Sequence, residues 1–327
     1  GRTIFWSDHT TDFNGLVLAR GGVQAGHGGF LETSGKINLA ANGFADLTAR
    51  ANGYNKGTYL LDPADITIVG DFDPNDITGL QLWLDGSDAS TITASSGRVT
   101  NWADKSGNGF DATASGSLRP ETGSTLNGKN VIFFGNGQGM EIDDALNINS
   151  PSYTFFTLFS RNSGSGNGRA IQGRDSNWLV GPYRNNVAHY AGGCVSGVIF
   201  CPGTPLTLGQ HYITSAINDG SQSAFFADGH DITTNSSNIE VPGRLGLGVA
   251  GPSNESTRGD IPEIIVYNSP FSDSQRNLVE QYQSAKWDIA LNPLNNGDSE
   301  IDQATASGGF SNFTVSYLER LSETADI

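Results

Sequence analysis

Glu141 and Asp143 are the first residues whose type and spacing suggest chemistry, in the stretch GMEIDDALN at residues 139–147. Successive side chains of a strand point to opposite faces, so residues two positions apart share a face. Two carboxyl groups about 5–5.5 Å apart are the arrangement that retaining glycosidases use. The alternative interpretation is a solvated, polar strand edge.

A second candidate site combines aromatic and polar side chains in RDSNWLVGPYRNNVAHY, residues 174–190. Glycan sites pair apolar and aromatic surface with a few polar groups that fix orientation. The predicted ligand-binding residues are Trp178, Tyr183, Arg184, Asn186 and Tyr190. The opposite interpretation of Trp178 is a core residue, because alternating aromatic residues in a sandwich strand often face inward.

A third candidate is the loop WADKSGNGFDAT, residues 102–113, which carries oxygen ligands at short intervals. Asp104, Asn108 and Asp111 could wrap a Ca²⁺ ion, which takes six to eight oxygen ligands. The same sequence also forms ordinary Asx turns without any ion. The five histidines are scattered, with no pair at metal-ligand spacing, which argues against zinc.

The two cysteines, Cys194 and Cys201, lie in GGCVSGVIFCPG and predict one small disulfide loop. Two reduced thiols packed as small apolar residues are the alternative. A disulfide forms in an oxidising compartment, so the pattern favours an exported protein. The chain starts at Gly1 without a signal peptide, and we expect it to be a processed piece of a longer protein.

Composition excludes several classes of partner. The 327 residues carry a formal net charge of -16, which is opposite to the basic surface that phosphate backbones or anionic lipids need. No apolar run approaches the roughly 20 residues that cross a bilayer. The 43 glycines and only 16% charged residues predict many turns and short strands.

Residues 1–70 contain short apolar stretches separated by Gly, Asn or Asp, which predicts the terminal coils of a β-solenoid. The stretches GHGGFLETSGKINLAANG and NGYNKGTYLLDPADITIV resemble the last coils of filamentous-haemagglutinin-type exoproteins, which are bacterial adhesins of two-partner secretion systems. The resembling blocks fall at Gly21–Lys36 and Gly57–Ile68. The resemblance implies a β-helix and brings no catalytic site with it.

Residues 71–77 are a polar linker, and residues 78–290 contain many short apolar strands with turn signals between them, which predicts an antiparallel sandwich. One helix is predicted in FSDSQRNLVEQYQSAKWDI, with Ser272 and Gln275 forming a capping box. Leu278, Val279 and Tyr282 recur at helical spacing and predict packing on a sandwich edge.

The second region resembles the concanavalin A-like jelly rolls of laminin-G-like type, through LQLWLDGSDASTI, VTNWADKSGNGFDAT, LNGKNVIFFGNGQGM and GDIPEIIVYNSPFSDSQRNLVEQYQSAKWDI. In that family a Ca²⁺ ion at the rim is common but not universal. The predicted fold class is therefore all-β: the end of a β-solenoid, then a concanavalin A-like antiparallel β-sandwich with one peripheral helix. Residues 291–327 form a hinge and a strand-like tail, which begins a further domain or pairs with a sheet edge.

The jelly-roll glucanases of this superfamily carry Glu-x-Asp-x-Glu or Glu-x-Asp-x-x-Glu on one strand. Glu141 and Asp143 match the first two positions, but Ala145 and Leu146 stand where the second Glu belongs. We therefore predict no catalytic residue and no enzyme activity.

The predicted function is a non-catalytic segment of a large secreted or cell-surface adhesin of a Gram-negative bacterium. Its jelly roll would bind glycans or components of a cell surface or matrix, with Ca²⁺ as the one candidate cofactor. A structural spacer or self-associating extracellular filament subunit is the alternative, and a glycan hydrolase is the third reading.

Overall fold

The computed structural model describes most of the chain, which divides into two compact units, Gly1–Phe72 and, from Asp73 onward, a larger one. The described residues are 1–13, 16–36, 38–41, 44–51, 53–61, 72–164, 166–198, 201–249 and 255–291. The predicted strand-like tail, most of the predicted hinge and the last part of the Gly57–Ile68 block lie outside these ranges.

The described residues of the first unit form seven short strands, and these are paired in parallel. They are β1 (Arg2–Ser7), β2 (Thr10–Phe13), β3 (Leu16–Leu18), β4 (Phe30–Gly35), β5 (Asn38–Ala41), β6 (Phe44–Asp46) and β7 (Thr58–Leu61). The sheets have the orders β1-β4-β7, β2-β5 and β3-β6.

Residues paired in the β1-β4-β7 sheet are separated by a constant number of positions in the sequence. Arg2 is opposite Phe30 and Phe30 is opposite Thr58, a step of 28 positions each time. A Cβ atom at Gly28 would lie 1.7 Å from the carbonyl oxygen of Leu47, so only glycine fits this close approach. A complete solenoid is not seen in the described part of the unit, so the predicted β-helix is not confirmed.

The first ten strands of the second unit follow in chain order. They are β8 (Leu80–Asp85), β9 (Ile92–Ser95), β10 (Arg98–Trp102), β11 (Ala112–Thr113), β12 (Glu121–Leu126), β13 (Lys129–Phe134), β14 (Gly139–Ile142), β15 (Asn147–Ile148), β16 (Ser152–Ser160) and β17 (Ile171–Gly173).

The remaining elements of this unit include one α-helix. They are β18 (Trp178–Tyr183), β19 (Asn186–Ala191), β20 (Cys194–Ser196), β21 (Thr204–Pro205), β22 (His211–Asp219), β23 (Ser223–Ala227), β24 (His230–Asp231), β25 (Gly243–Gly248), β26 (Gly259–Ile261), β27 (Glu263–Tyr267) and α1 (Asp273–Trp287).

Two antiparallel sheets form the second unit, which confirms the predicted sandwich. A six-stranded sheet has the order β24-β23-β22-β16-β27-β8, and a 14-stranded sheet runs through β20-β19-β18-β17-β25-β14-β11-β10-β12-β13-β26. Large apolar side chains from both sheets form one core, in which Trp102, Phe134, Phe155, Trp178 and Phe225 are fully buried. Such a core supplies most of the favourable free energy of folding.

Helix α1 begins where its sequence signal predicts. Ser272 caps it, and Gln275 completes the capping box by binding the backbone of Ser272. The helix packs against β16 and β22, which are interior strands of the six-stranded sheet, so the predicted packing on a sandwich edge is wrong. Its buried side chains include Val279 and Trp287, and these cover the outer face of that sheet.

A buried carboxylate fixes this helix to the sheet. Glu263 on β27 is fully buried and accepts hydrogen bonds from the indole nitrogens of Trp83 (2.9 Å) and Trp287 (3.0 Å). It also accepts from Tyr282 Oη (3.1 Å), Gln283 Nε2 (3.3 Å) and Lys286 Nζ (2.5 Å). A buried charge that is paired and hydrogen-bonded in this way is tolerated, whereas an unpaired one is costly.

Candidate functional site

The β18–β19 hairpin carries the predicted ligand-binding residues. Its two-residue turn, Arg184 and Asn185, has positive φ angles of 48° and 62°, as a tight hairpin requires. Leu179 lies directly opposite Tyr190 in the ladder, so these two side chains share one face. Because side chains alternate, Trp178 lies on the other face.

Trp178 faces the core, and its prediction as a ligand-binding residue is corrected here. It is fully buried, its ring lies 4.7 Å from that of Phe155, and its indole nitrogen donates to Tyr153 Oη at 2.8 Å. Both its apolar surface and its single donor are therefore satisfied inside the sandwich. A sugar on the surface cannot reach it.

The outward face of the hairpin lines a cavity of about 350 Å³, which we call the hairpin cavity. This volume is at the lower end of the range of small-molecule sites and suits one or two sugar rings. Tyr183 and Tyr190 both line it, whereas Arg184 and Asn186 lie at the turn and do not. The lining residues are Arg169, Asn177, Leu179, Tyr183, Tyr190, Gly193, Cys194 and Val198.

A disulfide between Cys194 and Cys201 closes the loop beside this cavity. Cys194 is opposite Tyr190 in the β19–β20 ladder, and Val198 packs with Leu179 and Tyr183 in a small apolar cluster. The disulfide therefore restrains the loop that supplies one wall of the hairpin cavity.

Arg169 is the charged residue of the hairpin cavity. It is only 5% exposed, its Nε donates to the Glu255 carboxylate at 2.5 Å, and its Nη2 donates to Asn177 Oδ1 at 2.8 Å. Its Nη1 is buried and has no hydrogen-bond partner among the described residues. A buried donor without an acceptor costs free energy, so an acceptor supplied by a ligand or water would stabilise it.

Sequence reasoning missed Arg169 and Glu255, because they are 86 positions apart and belong to no motif. Burial raises the pKa of Tyr183 above its ordinary value, which keeps its hydroxyl protonated and able to donate. Near the turn, the Asn186 amide donates to the carbonyl of Gly197, a contact that is structural.

The two candidate carboxylates, Glu141 and Asp143, do not lie on one strand in this structure. Strand β14 ends at Ile142, so Asp143 lies beyond it and accepts a hydrogen bond from the Ala145 amide at 2.8 Å. Glu141 is exposed and pairs with Arg174 at 3.1 Å. Asp144 lies between Arg174 and Arg244, and the Arg244 guanidinium holds the pKa of that carboxyl below its usual range. The group is a surface ion-pair network.

The loop of Asp104, Asn108 and Asp111 is built from Asx-type hydrogen bonds. Asp104 accepts from the backbone amides of Trp83, Ser106 and Phe110 and from the Ser106 hydroxyl. Asp111 accepts from the Asp104 amide and the Asn101 side chain. The carboxylate oxygens of Asp104 and Asp111 thus accept hydrogen bonds within the loop, and the described residues contain no group of three or more His, Cys, Asp or Glu able to hold a metal. The Ca²⁺ site stays a prediction.

A second, smaller cavity of about 160 Å³ lies at the rim of the sandwich. Gln81, Phe110, Asn147 and Asn149 are among its lining residues. It contains no charged side chain. Within the part of the chain that the structure describes, none of the helices is both long and apolar enough to cross a membrane.

Comparison with known proteins yields structural neighbours only. No protein-family model matches the chain, and no curated protein matches it. The chain is similar to a Trypanosoma rangeli sialidase solved with sialic acid, at 12% identity and a TM-score of 0.44, over 64% of this chain and 33% of that one. It thus spans about a third of the sialidase.

Two further neighbours are single domains. One is domain 4 of an extracellular GH43 arabinanase from Geobacillus stearothermophilus, solved with arabinotriose, at 14% identity and a TM-score of 0.44, over 60% of this chain and 96% of that one. The other is the binding domain of Paraclostridial Mosquitocidal Protein 1, at 12% identity and a TM-score of 0.43, over 64% and 53%. Similarities of this size carry no argument about activity.

These comparisons correct the predicted identity and function. The neighbours named above are a sialidase, an arabinanase domain and the binding domain of a mosquitocidal protein, and they give no support to filamentous haemagglutinin or two-partner secretion. The prediction of an adhesin segment, with its spacer and filament alternatives, is therefore wrong. The β-sandwich is the part of the predicted resemblance that stands.

Proposed function

We propose that the second unit is a non-catalytic carbohydrate-binding domain whose site is the hairpin cavity. The observation that carries the proposal is a cavity lined by two tyrosines, an amide and Arg169, a residue whose Nη1 has no hydrogen-bond acceptor among the described residues. A sugar complements this cavity, because its hydroxyl oxygens can accept from the free donor and its apolar face can stack on a tyrosine ring.

In this proposal, the aromatic and the polar residues of the hairpin cavity bind different parts of a sugar. The half-buried ring of Tyr190 offers a surface on which a sugar can stack, with its position set by the ladder to Leu179 and Cys194. Arg169 and Asn177 bind hydroxyl groups and are held in place by their mutual hydrogen bond at 2.8 Å. Preorganised polar groups bind with little loss of side-chain entropy.

We also propose that the second unit does not catalyse a reaction on the bound sugar. The Glu255 carboxylate accepts a hydrogen bond from Arg169 Nε at 2.5 Å, and the residues that line the hairpin cavity include no Asp or Glu. We also propose an extracellular site of action, for which the Cys194–Cys201 disulfide is the support.

A glycan array followed by calorimetry on the hits tests the proposal. Tyr190→Ala and Asn177→Ala should each weaken binding about tenfold or more, the loss of one stacking or polar contact. Asn149→Ala, in the smaller cavity, is the matched control and should leave the affinity unchanged. If binding is unchanged in both hairpin-cavity variants but lost in Asn149→Ala, the site lies in the smaller cavity and the proposal is refuted.

A further inference from the structure

Strand β8 is the longest of the strands that end the two sandwich sheets, as far as the structure describes them. It contains six residues and is the last strand of the six-stranded sheet. The strands at the other three ends, β24, β20 and β26, contain two or three residues each. The outer amides and carbonyls of a long edge strand can pair with a strand of another molecule, so proteins shorten, charge or cover such edges.

The loop of residues 104–108, which we call the edge loop, covers the outer side of β8. Asp104 Oδ1 accepts a hydrogen bond from the Trp83 amide at 2.9 Å. The Lys105 amide donates to the Trp83 carbonyl at 2.8 Å. Both outward backbone groups of Trp83 are therefore paired as a neighbouring strand would pair them, with a carboxylate in place of one carbonyl.

Two further side chains of the edge loop bind carbonyls at the start of β8. The Asn108 side-chain amide donates to the carbonyl oxygens of Leu80 at 3.0 Å and Gln81 at 3.1 Å. The Ser106 hydroxyl donates to the Gln81 carbonyl at 3.1 Å. These donors take the place of the backbone amides of an added strand.

The edge loop is fixed in this position by contacts on its other sides. The Asp104 amide donates to Asp111 Oδ1 at 2.9 Å. Lys105 Nζ lies 2.9 Å from the Asp85 carboxylate and 4.3 Å from the centroid of the Trp83 ring, which places a positive charge beside the edge. A lysine at an edge strand also disfavours pairing with another molecule.

We propose that the edge loop prevents strand addition at β8, and that without its side chains this edge would pair with the same edge of a second copy of the chain. Two copies of β8 related by a two-fold axis run antiparallel and could form a backbone ladder between two six-stranded sheets. This role of Asp104 and Asn108 needs no bound ion and does not depend on carbohydrate binding.

Sedimentation velocity of the double variant Asp104→Ala with Asn108→Ala tests the proposal. Its mean mass should rise toward that of a dimer between about 5 μM and about 500 μM, a range in which small interfaces associate, whereas the wild type should show no such rise. Thermal unfolding checks that each variant is folded. Asn108→Ala alone keeps Asp104 and should associate in the same way but more weakly.

Hydrogen exchange of residues 80–85 shows whether β8 forms the contact. In the double variant these amides should exchange faster than in the wild type at low concentration and slow again as the variant associates. Asp143→Ala removes a carboxylate that accepts from the Ala145 amide in another turn, and this control should behave as the wild type does. Folded variants that sediment as the wild type at every concentration would overturn the proposal, as would association that leaves the exchange of residues 80–85 unchanged.

Discussion

His189 makes the stability of the sandwich depend on pH, and its surroundings allow the size of the effect to be worked out. The residue is fully buried beneath the hairpin cavity, between the rings of Trp178 and Phe225, each with its centroid 5.3 Å away. Its Nδ1 lies 2.9 Å from the Leu179 carbonyl oxygen, which can only accept, so Nδ1 carries the proton.

Protonation of the second ring nitrogen of His189 is unfavourable in the folded state. The Nε2 atom is buried and has no hydrogen-bond partner among the described residues, so protonation would create a buried cation without a counter-charge. Burial therefore lowers the pKa of His189 from 6.5 to about 4. The hydrogen bond to Leu179 opposes this shift only in part.

The sign of the effect follows from linkage. Above pH about 6.5, His189 is neutral in both states and contributes no pH dependence. Between pH about 6.5 and about 4, His189 is protonated in the unfolded state but neutral in the folded state. The free energy of unfolding therefore falls by about 1.4 kcal/mol for each pH unit in this range. The total loss is about 3 kcal/mol, a large part of the stability of a typical domain.

Urea unfolding at several pH values between 7 and 4, followed by tryptophan fluorescence, measures this loss. His189→Gln keeps a donor for the Leu179 carbonyl but does not titrate, so its stability should fall less steeply with acid than that of the wild type. His9→Gln, at an exposed position in the first unit, is the control and should match the wild type. Parallel pH curves for the wild type and His189→Gln would refute the reasoning.

Three further predictions concern Glu263, the disulfide and the loop for which the sequence predicts a Ca²⁺ ion. Glu263→Gln should cost about 2 kcal/mol of unfolding free energy, because five donors lose their charged acceptor, while Lys286 keeps Asp85 at 2.8 Å as its remaining carboxylate. Urea melts measure the loss, and a variant as stable as the wild type would contradict this. Replacing Cys194 and Cys201 together by serine should cost about 2 kcal/mol and weaken sugar binding, whereas unchanged binding would show that the loop wall is dispensable. Adding about 1 mM Ca²⁺ after EDTA treatment should leave the melting temperature unchanged, and a rise that disappears in Asp104→Ala would show that an ion is held.

The sequence predicted correctly those features that depend on interactions between residues close together in the chain. The capping box at Ser272 and Gln275 fixed the start of α1, because its two hydrogen bonds lie within four residues. The aromatic residues in 178–190 left Trp178 open between a ligand-binding and a core role. The sequence could not decide between them, because the buried face depends on what packs against the sheet.

Long-range contacts were beyond the sequence. Arg169 meets Glu255 only when segments 86 positions apart come together, and no spacing rule signals such a pair. The polar inner face of α1 was also missed, since Glu263 on β27 satisfies Gln283 and Lys286 only after the helix has docked. A single strand over Glu141 and Asp143 is not found, because β14 ends at Ile142 and Asp143 begins a turn in which its carboxylate accepts from the Ala145 amide.

Isothermal titration calorimetry of Arg169→Met with the best oligosaccharide from the array tests the central claim most directly. Methionine keeps much of the side-chain volume but removes every donor, and thermal unfolding of the same sample reports whether the sandwich is intact. The account predicts a folded protein whose affinity for the sugar is at least about tenfold weaker than that of the wild type. A folded variant that binds the sugar with unchanged affinity would contradict it.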